Sequence, residues 1–242
     1  MELWKQFFEQ LATNEFFIIL IRAVVPCIIV SILIYQLEKH EKEPFALLLK
    51  AFFLGVLLCL PAAVLYAFTD LLPFDPYAEN LFESGIAIFL KGSFSEDILK
   101  YITLMYVFYP DPEFDEPYDG ISYAVVLSMG FLSFDRVSYL VTDNGFRELG
   151  GLRYLDLIVF PAIAVLMGYF IGLDKEKEMS GKHTHYSLLG LGVVMVSKTL
   201  YDLIFFKNNL PLFNVVVFGI VILAIFFARL AIRRHNLHSP FR

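Results

Sequence analysis

The chain has 242 residues, of which 58% are hydrophobic and 17% aromatic, with a mean hydropathy of +0.65. A soluble domain averages about 45–50% apolar, so this composition excludes an ordinary globular domain. The net charge of −6, with no basic stripe, excludes the electrostatic footprint of a nucleic-acid binder.

Several apolar runs approach the ~20 residues that a helix needs to cross about 30 Å of hydrocarbon. Backbone polar groups must be satisfied internally there, so the runs are read as helices, and the alternating pattern of an outer-membrane barrel is absent. Residues 1–15 come first and look amphipathic, with Trp4, Phe7, Phe8 and Leu11 at helical spacing and Lys5, Glu9 and Gln10 around them. They suit an interfacial helix rather than a signal peptide, since a basic leading region and a small-residue cleavage site are both missing. Spans are then expected at 16–36, 45–68, 85–108, 120–141, 154–173, 186–206 and 211–232. The first contains Arg22 and Pro26, and Cys27 and Cys59 read as small buried apolar residues. The last span ends in Arg229, Arg233 and Arg234 and runs into a basic tail, 233–242. The expected fold class is therefore all-α, a polytopic bundle of about seven transmembrane helices in one integral membrane domain over 1–242, without an internal repeat.

Lysine and arginine in the loops set the orientation. Residues 1–15, 69–84, 142–153 and 207–210 fall on one side and hold four, namely Lys5, Arg147, Arg153 and Lys207. The opposite side holds nine: Lys39, Lys42, Lys175, Lys177, Lys182, Arg229, Arg233, Arg234 and Arg242. The second side is expected in the cytoplasm, with the N-terminus outside and the C-terminus inside.

Charges inside the spans cost roughly 2.5–3.5 kcal/mol each at mid-bilayer and are kept when paired or functional. The third span concentrates them: Lys91, Glu96, Asp97 and Lys100. Glu96 and Lys100 are one turn apart and can pair, and Asp97 lies about 100° around the helix from Glu96. The fourth span carries Asp135 and Arg136, with Tyr139 one turn on, and the sixth carries Lys198 and Asp202, again at i,i+4. Three readings fit. The pairs Glu96–Lys100 and Lys198–Asp202 can hold helices together. The cluster can pass protons or ions. Crowded carboxylates can also serve as acid and base in a hydrolysis.

The order of these residues carries a resemblance. The segment Glu38–Pro44, the run Glu96-Asp97-Ile98-Leu99-Lys100, the loop Phe114–Gly120, Phe134-Asp135 with Tyr139, Gly168-Tyr169 with Gly172, and Tyr201-Asp202 follow one another as in the PrsW-like family of intramembrane proteases. The chain resembles that family from about residue 33 to 206. The resemblance implies a compact helical bundle related to the CAAX prenyl proteases. It also implies membrane-anchored protein substrates, cut with paired acids and intramembrane histidines. The chain departs from the pattern at four positions. Asp97 and Asp135 stand where the family has Glu, and Phe160 and Lys198 stand where it has histidine.

The five histidines, His40, His183, His185, His235 and His238, all fall in loops or the tail. His185 precedes Lys198 by 13 residues, about 20 Å along a helix, too far to replace it. Zinc normally takes imidazole or thiolate ligands, and a lysine opposes cation binding. The expectation is a site without metal or other cofactor, in which Glu96 is the general base, Asp97 or Asp135 the partner acid, and Lys100, Tyr139, Lys198 and Asp202 support them. Expected partners are the bilayer and a membrane-anchored protein, with no nucleic acid. Two alternatives stay open: a pseudoenzyme that binds membrane partners without cutting, and an ion- or proton-coupled transporter.

Overall fold

A computed structural model describes residues 14–37, 43–142, 155–207 and 212–238. The amphipathic stretch expected at 1–15 lies outside the described residues except for its last two, as do 38–42, the loop 143–154 and the tail past His238. The seven expected spans are all helical. In chain order they are α1 Asn14–Leu37, α2 Phe45–Thr69, a composite third segment, α5 Pro117–Thr142, α6 Asp156–Met179, α7 Tyr186–Lys207 and α8 Leu212–His238. The composite comprises α3 Leu81–Ile88, the π-helical π1 Phe89–Phe94, α4 Ser95–Thr103 and the π-helical π2 Leu104–Phe108.

Helix starts and stops follow local chemistry. The third segment begins at Leu81 because Asn80 caps it, its Oδ1 accepting from Phe82 N at 3.0 Å. The fifth span is expected to end at 173, but its helix runs to Met179, because Asp174, Lys175 and Glu178 find polar partners at the bundle end in the Tyr186 and Ser187 amides, the Tyr109 carbonyl and the Tyr109 hydroxyl. It stops at Gly181, whose φ of 74° is the left-handed conformation that glycine adopts without strain. The terminal carbonyls are taken up by Gly181 N to Glu178 O at 2.8 Å and Lys182 N to Lys177 O at 2.9 Å. Asp174 then caps the next helix, accepting from Thr184 Oγ1 at 2.7 Å and from the amides of Tyr186 and Ser187 at 2.8 Å each.

The bundle is built around two inner helices. In α5, residues 118–133 are buried without interruption. In α6, 78% of the apolar window is buried, against 28% in α2 and 33% in α7, so α6 is central and the other two are outer helices. Alpha-helix α5 packs against α6, α2 and α1, and α6 also packs against α7 and α8. Small residues set the spacing, as is usual where backbones approach closely in membranes. A Cβ added at Gly120 would stand 3.0 Å from Gly172 N, and one at Gly168 would stand 2.6 Å from the Cα of Ile121.

The outer helices turn large apolar side chains outward. Ile21 and Leu33 on α1, Phe53 and Leu60 on α2, and Phe218 and Ile222 on α8 are all exposed. An apolar coat of this extent suits hydrocarbon rather than water. Among the described residues, three helices, α2, α6 and α7, are individually long and apolar enough to cross a bilayer, and α1 and α8 contain shorter apolar stretches.

Candidate active site

The helix α4 delivers five polar side chains into the interior: Ser95, Glu96, Asp97, Lys100 and Thr103. Their i,i+1,i+4 spacing places them on one sector of a helix whose other sector is apolar, and the π-helical turns on both sides fix where that sector points. Such turns are frequent at functional sites. Glu96 is 8% exposed, Asp97 2%, Lys100 3% and Lys198, arriving from α7, also 3%.

These four groups form one network. Lys198 Nζ donates to Glu96 Oε2. Lys100 Nζ reaches the same oxygen at 3.3 Å and Asp97 Oδ1 at 3.5 Å. The other Glu96 oxygen, Oε1, accepts from the hydroxyl of Tyr66 at the end of α2. Three helices thus meet on one carboxylate, and both of its oxygens are engaged. Asp97 Oδ2, in contrast, is buried with no hydrogen-bond partner. The lysines are held from above by aromatic rings. Lys100 Nζ lies 4.3 Å from the centroid of Phe131 and 5.7 Å from that of Phe160, and Lys198 Nζ lies 5.3 Å from Phe160.

Asp97, Lys100, Ser128, Phe160 and Lys198 line a common cavity together with Met167 and Val194. Its volume of about 10 Å³ is roughly room for one water. Phe160 and Lys198, the positions singled out in the sequence, therefore do face the buried acids.

The other expected site residues are distributed as follows. Lys198 pairs with Glu96 rather than with Asp202 one turn along its own helix, because the packing of α7 against the third segment brings its Nζ onto Glu96 Oε2, which it shares with Lys100. Asp202 is half-buried and packs beside π1, where a Cβ on Gly92 would stand 3.3 Å from its Oδ2. Asp135 is half-buried on α5, and Cys59 and Tyr66 lie within electrostatic reach of both it and Glu96. Lys91 stays out of the cluster and bonds Asp70 at 2.5 Å near the surface. The side chain of Tyr139 lies outside the described residues. Arg136 reaches Asp156 at 4.0 Å, and Tyr201 donates to the same carboxyl at 2.6 Å. Sequence reasoning missed Tyr66. A lone tyrosine closing an apolar run reads as an interface anchor, and only its position opposite Glu96 gives it a second use.

A second polar group gathers at one end of the bundle, where Glu43, Glu113, Asp115, Glu116 and Asp119 surround a groove of about 140 Å³. Glu43 accepts from the Tyr123 hydroxyl, and Asp119 Oδ2 accepts from the amides of Asp115 and Glu116 at 3.0 and 2.7 Å. Burial pushes the Glu43 carboxyl above its ordinary range, and its hydrogen bonds with Asp119 and Tyr123 oppose the shift. Nearby, Tyr109 donates to Glu178 at 2.6 Å and Lys175 donates to the Tyr109 carbonyl at 2.8 Å. The loops 43–44, 109–119 and 174–185 therefore share one end, as the alternation of spans requires.

Residues 43–230 match the family model described as PrsW family intramembrane metalloprotease. The chain is 33% identical to Protease PrsW of Oceanobacillus iheyensis over 175 residues, covering 69% of this chain and 72% of the relative. It is 30% identical to Protease PrsW of Bacillus subtilis, covering 64% and 68%, and 29% identical to that of Halalkalibacterium halodurans, covering 78% and 83%. No solved structure matches. The comparisons give no support to the pseudoenzyme or transporter alternatives.

The family description includes a metal, and the donor set here does not fit one. Among the described residues no three His, Cys, Asp or Glu side chains converge to hold an ion. The Glu96 oxygens instead receive two ammonium groups and a hydroxyl.

Proposed function

The chain belongs to the PrsW family of intramembrane proteases, and from that premise we propose that it hydrolyses peptide bonds of membrane-anchored proteins at the buried Glu96–Asp97 site. The observation that carries the assignment of roles is the unpartnered Asp97 Oδ2 at a cavity of water size. The expected base was Glu96, but its two oxygens are committed to Tyr66, Lys100 and Lys198. Asp97 has the oxygen to spare.

In the proposed reaction a water in this cavity gives a proton to Asp97 as its oxygen bonds to the scissile carbonyl carbon. The oxyanion that forms is met by the Lys198 or Lys100 ammonium, a fixed charge in a dry site. The C–N bond then breaks as Asp97 returns the proton to nitrogen, which leaves a carboxylic acid and an amine. Glu96 holds the two lysines in place. Asp135, across Tyr66, and Asp202, beside π1, complete an acidic surround. The cavity admits a water and no peptide, so substrate entry requires α4 and α7 to part.

The lysine- and arginine-rich side, with nine such residues against four, is assigned to the cytoplasm. This places the N-terminus outside and the acidic groove around Glu43 inside.

The test is cleavage of single-span reporter proteins, tagged at both ends, in proteoliposomes. Asp97→Asn is expected to lower the rate by about 10²-fold or more, the usual contribution of a general base, while the protein elutes as a folded species. A folded Asp97→Asn that cuts at the wild-type rate removes Asp97 from the mechanism. A wild type that cuts no reporter counts against the protease reading itself.

A further inference from the structure

The positive charge at this site is built into the chain. Two ammonium groups converge on the acid pair: Lys198 on Glu96 Oε2, and Lys100 on that oxygen and on Asp97 Oδ1. The Tyr66 hydroxyl takes the remaining Glu96 oxygen. A divalent cation would need those lone pairs and would have to sit against two like charges in a low-dielectric interior. The cavity wall points the same way through an independent feature. Phe160 presents a ring to both lysines, at 5.3 and 5.7 Å, and Phe131 presents one to Lys100 at 4.3 Å. An aromatic face stabilises an ammonium and offers no lone pair to a metal. Among the described histidines, His183 and His185 are exposed in the loop before α7, and His235 and His238 fall in the last turns of α8.

We infer that the Lys198 ammonium occupies the electrostatic role of a catalytic cation, so that the site binds no divalent metal, and that Lys198 and Phe160 are the two positions that decide it. Both line the cavity with Asp97. Imidazoles there would join Glu96 and Asp97 in a mixed nitrogen and oxygen donor set suited to zinc. The inference rests on the reading of this cluster as the protease centre, but its test does not need a substrate.

The experiment measures zinc per chain by elemental analysis after equilibration of detergent-purified protein in a buffer of fixed free zinc. Wild type and Phe160→His, which keeps Lys198, are expected to hold far less than one zinc per chain. Phe160→His/Lys198→His is expected to gain a zinc that Glu96→Gln then removes. Stoichiometric zinc on the wild type, lost in Glu96→Gln, overturns the inference, as does stoichiometric zinc on Phe160→His alone. A double variant that is folded by circular dichroism yet takes up none overturns the assignment of the two deciding positions. If the double variant does not fold, the wild-type and Phe160→His stoichiometries still decide the inference. Wild-type cleavage, where found, is expected to survive a zinc chelator; cleavage abolished by chelation and restored by zinc also overturns it. A protein that cuts nothing and binds no zinc sinks the protease reading, and with it the catalytic role of Lys198, while the exclusion of a divalent metal from the cluster stands.

Discussion

At the scale of single residues, the arrangement of donors around Glu96 explains how two adjacent acids can share the interior of a membrane bundle. Neither carboxylate could be kept there alone. Each has an ammonium within 4 Å, and Tyr66 adds a hydrogen bond to a charged acceptor. Bonds of that kind contribute about 1.5–3 kcal/mol. Tyr66→Phe is therefore expected to lower stability by about that amount in detergent unfolding, with the α-helical content of the folded state unchanged. A phenylalanine variant as stable as wild type would mean that the hydroxyl is solvated. The acids and lysines were legible as charges in an apolar run, because the energetic argument needs no structure. Their pairing was not. The i,i+4 rule made Asp202 the natural partner of Lys198, whereas the tertiary fold brings Glu96 closer, and a long lysine side chain follows the deeper acid.

At the scale of elements, the close approach of α5 and α6 carries the core. Gly168 on α6 faces the backbone of Gly120 and Ile121. Gly168→Ala inserts a methyl group where only backbone atoms can give way, and overpacking of this kind costs about 1–3 kcal/mol or more. The variant is expected to melt at a lower temperature than the same substitution at Gly192, where a Cβ meets nothing within 4 Å. Equal melting temperatures for the two would show that the helices separate easily. Helix existence and order were readable from hydropathy alone, since long apolar runs in a bilayer have one solution. The composite character of the third span was not readable. A π-helical turn shifts the hydrogen-bond partner by one residue, and nothing in the composition of FLKGSF or LMYVF distinguishes it from an α-helical turn.

At the scale of the whole molecule, the seven helical segments bring the loops before α2, before α5 and before α7 to one end, so a single choice of orientation fixes every loop. Cysteines placed at two exposed positions test it: Glu79→Cys, between α2 and α3, and Ser180→Cys, between α6 and α7. A membrane-impermeant maleimide added to intact cells is expected to label the first and spare the second. The reverse pattern would invert the assignment. The two π-helical turns on either side of α4 also bear on how this chain can evolve. A helix turns by about 100° per residue, so the loss of one residue within 89–94 would swing everything before it relative to the acid pair. The segment from Leu81 to Phe108 therefore behaves like a key whose teeth can be recut but whose shaft cannot be shortened: substitutions there are weighed one by one, whereas a single-residue deletion or insertion changes which side chains share a face with the site.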